Sequence, residues 1–280
     1  MDCISRRHFI GAAGAFAAAV PQLSADPLGF PIGCQLYPVR DMLGKDFEGT
    51  LKELASIGYK NIEMCSPKGY ERSGFGSLMK YKPAELKAKI NAAGLHCESS
   101  HFQTKELKEN IGETIAFAKE LGLKQMILAS FGMRKDATLD DWKRAAADLN
   151  KAGEEAHKAG LQVGFHNHDG EFQKLGEALI YDELMKALDP KLVKMQFQVS
   201  VISLGFAAAD IFAKYPGRFI SIHLQDWSPA DKKTCAVGKG IVEWKKLFGA
   251  AKKAGVKNYF VELNLDQMRD SYTYLHGLKA

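Results

Sequence analysis

The 280-residue sequence predicts a single (β/α)8 barrel of the α/β class, on three observations. The length leaves little over beyond the ~250 residues such a barrel takes. Short apolar, β-branched or aromatic runs alternate with longer amphipathic stretches rich in Ala, Lys, Glu and Leu, and eight such pairs can be counted. Glycine closes several of the helical stretches just ahead of the next strand, as in Ser56-Ile57-Gly58-Tyr59, Ala92-Ala93-Gly94-Leu95, Glu120-Leu121-Gly122-Leu123, Lys158-Ala159-Gly160-Leu161 and Lys253-Ala254-Gly255-Val256. Glycine takes the left-handed conformation that ends a helix, so the recurrence marks one repeated α-to-β connection. A doubly wound open sheet would alternate in the same way, and the count of eight is what favours closure.

Taken in order, the chain opens with Ser5-Arg6-Arg7-His8-Phe9-Ile10 and an apolar Ala/Gly-rich run from 10 to 20. This reads as an export signal of the twin-arginine type over residues 1–25, cleaved between Ala18 and Ala25, which implies a periplasmic or otherwise exported protein. The run is about half the ~20 residues that span a bilayer, so no stable membrane anchor is expected once the signal is removed. Residues 26–280 form the barrel domain, with strands expected at 32–37, 60–64, 96–101, 125–129, 162–166, 193–199, 219–224 and 258–263. No linker, low-complexity tract or charge run points to a second domain.

Composition narrows the function classes. With 46% hydrophobic and 25% charged residues the chain can bury a sizeable core. The formal charge of +5 is spread among interleaved acids and bases, with no basic block carrying interleaved aromatics, so nucleic acid is not an expected partner. The cysteines, at 3, 34, 65, 97 and 235, show neither a C-x-x-C pair nor the spacing of a structural zinc site.

A parallel barrel works at the C-terminal ends of its strands, and polar residues gather there: Gln35 with Arg40-Asp41, Glu63, Glu98 with His101, Ser130, His166-Asn167-His168 with Glu171, Gln198, His223 with Asp226, and Glu262 with Asn264. His166 and His168, two apart on an extended segment, can face one site. Either alone is as readily a packed rim residue as a metal ligand, but His223 and Glu262 add weight to the ligand reading. Glu262 stands in the apolar run Phe260-Val261-Glu262-Leu263, where a buried carboxylate needs a partner; a cation serves, and so does an ion pair. Glu63 and His101 are read as pocket lining. Trp227, just past a strand end, can stack on a sugar ring, whereas Trp142 and Trp244 fall in helical patterns. Val237-Gly238-Lys239-Gly240 is too short for a phosphate loop and reads as a turn.

Together, Gly33-Cys34-Gln35-Leu36-Tyr37-Pro38-Val39-Arg40-Asp41, Ile57-Gly58-Tyr59-Lys60-Asn61-Ile62-Glu63, His166-Asn167-His168-Asp169-Gly170-Glu171-Phe172, His223-Leu224-Gln225-Asp226 and Tyr259-Phe260-Val261-Glu262 resemble the sugar phosphate isomerase/epimerase group with the xylose isomerase-like TIM barrel. The resemblance runs from about residue 32 to the C-terminus. It implies a divalent cation (Mn, Mg, Co or Zn) held at the ends of the fifth to eighth strands; the matching positions are His166 or His168, Gln198, His223 and Glu262. It further implies proton transfer next to a sugar carbonyl, with Glu262 as base and His168 and Glu63 as further catalytic candidates. Substrate contacts are expected from Gln35, His101, Glu171, Asp226, Trp227 and Lys239. At Gln198 relatives commonly carry aspartate, and at Lys239 an acid. The leading expectation is a metal-dependent sugar isomerase or epimerase with a small carbohydrate substrate. A lyase or hydratase acting on keto-sugars or glycosides is a second reading. A carbohydrate-binding barrel without catalysis, suggested by Gln198, is a third. Relatives often dimerise, so a homodimer is also an expectation.

Overall fold

The computed structural model describes residues 26–278. The expected export signal over residues 1–25 lies outside the described residues. Eight parallel strands close into a barrel: β1 (Gly33–Gln35), β2 (Asn61–Cys65), β3 (His96–Phe102), β4 (Gln125–Leu128), β5 (Gln162–His166), β6 (Val193–Gln198), β7 (Phe219–Leu224) and β8 (Asn258–Val261). β1 pairs with β2 on one side and β8 on the other, with Gly33 opposite both Asn61 and Phe260. Every expected strand is present, β1 and β8 being shorter than the apolar pattern suggested. Two small hairpins, pairing Lys174–Leu175 with Ala178–Leu179 and Asp226–Ser228 with Lys233–Cys235, have no counterpart in the sequence reading.

The glycines expected to end helices do so with positive φ at Gly58, Gly94, Gly122, Gly160 and Gly255, a region that a Cβ disfavours. The longest helix, Leu139–Lys158, starts at Thr138, whose hydroxyl accepts from the Asp141 N–H while the Asp141 carboxylate accepts from Thr138 N–H at 2.8 Å. No helix among the described residues is long and apolar enough to cross a membrane.

One continuous apolar core fills the space between barrel and helices. Ile127 and Phe260, though buried, stand apart from it, inside the barrel. Glycines make room for them. A Cβ on Gly33 would sit 2.6 Å from the Phe260 ring, and one on Gly164 would sit 2.5 Å from Ile127 Cδ1. Beside these two the barrel is filled with polar side chains, Glu63, Ser99, His101, Gln196, Ser221 and His223 among them, each 4% exposed or less. Apolar residues usually fill these layers, so this polar interior is what positions a site.

Candidate active site

Two irregularities aim the polar layer. The β2/β3 register slips between Ile62 and Glu63, so that Glu63 pairs with Ser99, and the β6/β7 register slips between Met195 and Gln196, so that Gln196 pairs with Ser221. A bulge re-aims the side chains beyond it. Glu98 stands outside the site: that residue is exposed and forms an ion pair with Lys124.

Glu63 is the hub. Its Oε1 accepts from Ser99 Oγ at 2.5 Å and Gln196 Nε2 at 2.8 Å, and its Oε2 lies 2.5 Å from His223 Nε2 and 3.1 Å from His101 Nε2. His101 Nε2 is also 2.7 Å from Gln196 Oε1; with acceptors on both sides it carries the proton. His223 Nδ1 lies 3.1 Å from Glu262 Oε2, so both of its ring nitrogens face carboxylates and the ring is an imidazolium. Burial opposes that charge, but Glu262 and Glu63 prevail and lift its pKa to about 9. Burial likewise works against the Glu63 carboxylate, and His101 and His223 overcome it, holding Glu63 well below the usual carboxylate range. Glu262 is lowered in the same way, against burial, chiefly by His223.

Glu262 is held from three sides. Besides His223, Gln198 Nε2 donates to its Oε2 at 2.6 Å, and Gln225 Nε2 donates to its main-chain oxygen at 2.7 Å. It keeps 16% side-chain exposure and lines a cavity of about 600 Å3 at the C-terminal face, with Tyr37, Arg40, His168, Gln198 and Gln225. That volume is in the range of small-molecule sites.

The residues present fit a divalent cation. His166 Nδ1 and Gln198 Oε1 are buried and lack any hydrogen-bond partner, although a buried polar atom seeks one. Burial, then the neighbouring His223, holds the His166 pKa well below its ordinary value, leaving the neutral form that ligates metal. Ligand atoms of His101, His166 and His223 lie within 4.8 Å of one another. Glu262, His166, Gln198 and, after giving up its Nδ1 proton, His223 would hold the ion; Glu63 would then orient His223 from behind, as carboxylates behind metal-bound histidines do.

The expected site residues thus divide. Glu63, His101, His166, Gln198, His223 and Glu262 come together in one network. His168 stands at the cavity wall, its ring edge-on to His166 with centroids 4.8 Å apart. The expected substrate residues Gln35, Glu171 and Asp226 are engaged elsewhere. Gln35 is buried, accepts from Tyr37 N–H at 2.5 Å and donates to Cys65. Glu171 caps the turn after β5 by accepting from His168 N–H at 2.7 Å, and burial lifts its pKa to about 7. Asp226 is fully buried, and its carboxylate accepts from the N–H groups of Trp227, Gly238 and Val242 and from Trp244 Nε1, which makes it the anchor of the loop after β7. Trp227 and Lys239 are not among the residues lining the cavity. Sequence reading passed over Ser99, Gln196 and Gln225. Gln196 carried a signal, lying two residues before Gln198 on the same strand face.

The family profile described as "Xylose isomerase-like TIM barrel" matches residues 51–272. An inosose dehydratase of Lacticaseibacillus casei is 24% identical over 85% of this chain and 89% of its own length. A sugar phosphate isomerase/epimerase of Parabacteroides distasonis ATCC 8503 superposes with a TM-score of 0.78 at 24% identity, over 96% of this chain and 98% of that one. An L-ribulose 3-epimerase superposes with a TM-score of 0.62 at 16% identity, over 84% of this chain and 81% of that one. The chain belongs to the xylose isomerase-like TIM barrel family.

Proposed function

We propose that the protein is a metal-dependent sugar isomerase or epimerase that moves a proton at the carbon next to a sugar carbonyl. The carrying observation is Glu262: an ionised carboxylate at the floor of an open cavity, fixed by His223, Gln198 and Gln225. Glu262 takes the proton from the carbon. His223 stands at its side, oriented from below by Glu63, whose carboxylate faces its Nε2. A divalent cation bound at Glu262, His166 and Gln198 would supply polarisation of the carbonyl and hydroxyl oxygens.

A dehydratase reading uses the same proton abstraction followed by loss of a hydroxyl. The 24% identity to an inosose dehydratase over most of both chains favours keeping it. Incubating the metal-loaded protein with keto-sugars and inososes in D2O separates the readings. Deuterium incorporation without loss of mass indicates isomerisation or epimerisation, and loss of water indicates the dehydratase. Glu262→Gln should lower the exchange rate at least ~100-fold; a variant as fast as the parent would remove Glu262 from the mechanism. The Arg6-Arg7 leader supports an exported location, and cell fractionation should find the protein in the periplasm, with export lost when both arginines become lysine.

A further inference from the structure

Arg40 takes no part in the proton transfer, yet it is built into the same cavity. It follows β1, the strand beside β8, and stands in the wall of the 600 Å3 cavity with Glu262. Among the described residues lining that cavity it is the one lysine or arginine, and the acids there are Glu262 and Asp169. Burial holds the pKa of His168, also in the wall, below its ordinary value, so that ring adds no charge at neutral pH. Arg40 is half-buried and forms no ion pair with any described residue. Its position is nevertheless fixed. Nη1 donates to the Tyr37 main-chain oxygen at 3.0 Å, and the guanidinium lies 4.4 Å from the centroid of the Tyr37 ring. Tyr37 is held in turn by the buried Gln35, which accepts its N–H at 2.5 Å, and by Tyr70, edge-on at 5.9 Å. Gly74 backs the segment so closely that a Cβ there, at φ +87°, would sit 2.8 Å from the Arg40 main-chain oxygen.

A fixed guanidinium without a counter-charge beside an open cavity suits an anion that arrives with the ligand. With Nη1 bound to Tyr37, the edge formed by Nε and Nη2 has no partner among the described residues, and its two parallel N–H groups match the two oxygens of a carboxylate. One cation facing two acids suits a singly charged group; a doubly charged phosphate monoester would meet a wall with more negative than positive side chains. We propose that the substrate is a keto-sugar acid, with its carbonyl beside Glu262 and its carboxylate, at the far end of the chain, held by Arg40. Arg40 is then a specificity-determining residue. The inference rests on the proposed sugar chemistry of this cavity and names its substrate class.

The test is equilibrium binding by calorimetry with the purified protein supplied with Mn. The probes are fructose and tagatose, the corresponding ketouronates fructuronate and tagaturonate, the uncharged amides of those uronates, and the two ketose 6-phosphates. At least one uronate should bind roughly tenfold or more tighter than both its neutral ketose and its amide, the gain of a charge-assisted pair over neutral hydrogen bonds. Arg40→Gln should bring the uronate down to its amide. The amide comparison in the parent protein stands even if that variant misfolds. A uronate no better than its amide, an advantage that survives Arg40→Gln, or a 6-phosphate that gains more than the uronate overturns the proposal. Deuterium exchange next to the carbonyl, in ketoses and uronates alike, reads the proposed chemistry separately. Exchange without a uronate advantage sinks this inference alone, and an advantage without exchange in any probe sinks the chemistry alone.

Discussion

Replacing Glu63 by glutamine keeps the side chain's shape and removes the charge that four buried donors address: Ser99 Oγ, Gln196 Nε2, His101 Nε2 and His223 Nε2. The sign of the pH dependence follows from His223. Its folded pKa of about 9 lies above the ordinary 6.5, so the stabilisation is fully present below pH 6.5 and is lost as pH rises through 9. At pH 7.5 the raised proton affinity is worth roughly 2 kcal/mol, of which Glu262, still beside the ring, retains part. Donors left facing an amide with one acceptor atom add about 1–3 kcal/mol. Together the loss is roughly 3 kcal/mol, at the low end of what removing one partner of a buried ion pair does. The assay is urea unfolding of chelated protein, followed by far-ultraviolet circular dichroism at pH 6, 7.5 and 10. The difference between parent and Glu63→Gln should be largest at pH 6 and shrink toward pH 10. A difference below about 0.5 kcal/mol at pH 6, or one that does not change with pH, would show that the buried network does not hold His223 as an imidazolium.

Thr138→Ala removes the side-chain cap of the helix Leu139–Lys158 and should lower unfolding stability by about 1 kcal/mol with the network untouched, which the same urea titration reads. Asp226→Asn leaves one acceptor oxygen for four donors; roughly 2 kcal/mol or more should be lost, and limited proteolysis should cut the 227–243 segment faster than in the parent. If cutting is unchanged, that carboxylate does not anchor the loop.

The barrel was legible because its signals are local. Strand-length apolar runs and a glycine after each of five helices can be read without knowing what lies across the axis. His223 and Glu262 were legible for a related reason, since an ionisable residue inside an apolar strand demands a partner. What stayed hidden depends on closure. Ser99 and Gln196 look like ordinary strand residues until the register slips in β3 and β7 bring them against Glu63. Asp226 at a strand end reads the same whether it faces substrate or backbone, and the donors that occupy it come from residues up to Trp244. Glu98 falls outside because Ser99 and His101 are the β3 residues that face the network, and successive side chains of a strand point to opposite faces. The two hairpins have strands of two or three residues, too short to show a period.

The central claim is the proposal that Glu262, His166 and Gln198 would hold a divalent cation although one of the three, Gln198, offers an amide and not a carboxylate. Elemental analysis of the purified protein, beside Gln198→Asp and before and after chelation, addresses it most directly. The account predicts about one divalent ion per chain in the native protein, removed by a chelator, and tighter retention in Gln198→Asp. No ion in the native protein even after incubation with Mn, Zn or Co, together with tight binding in the variant, would mean that the amide has disabled the site and that the barrel binds carbohydrate without metal-assisted chemistry.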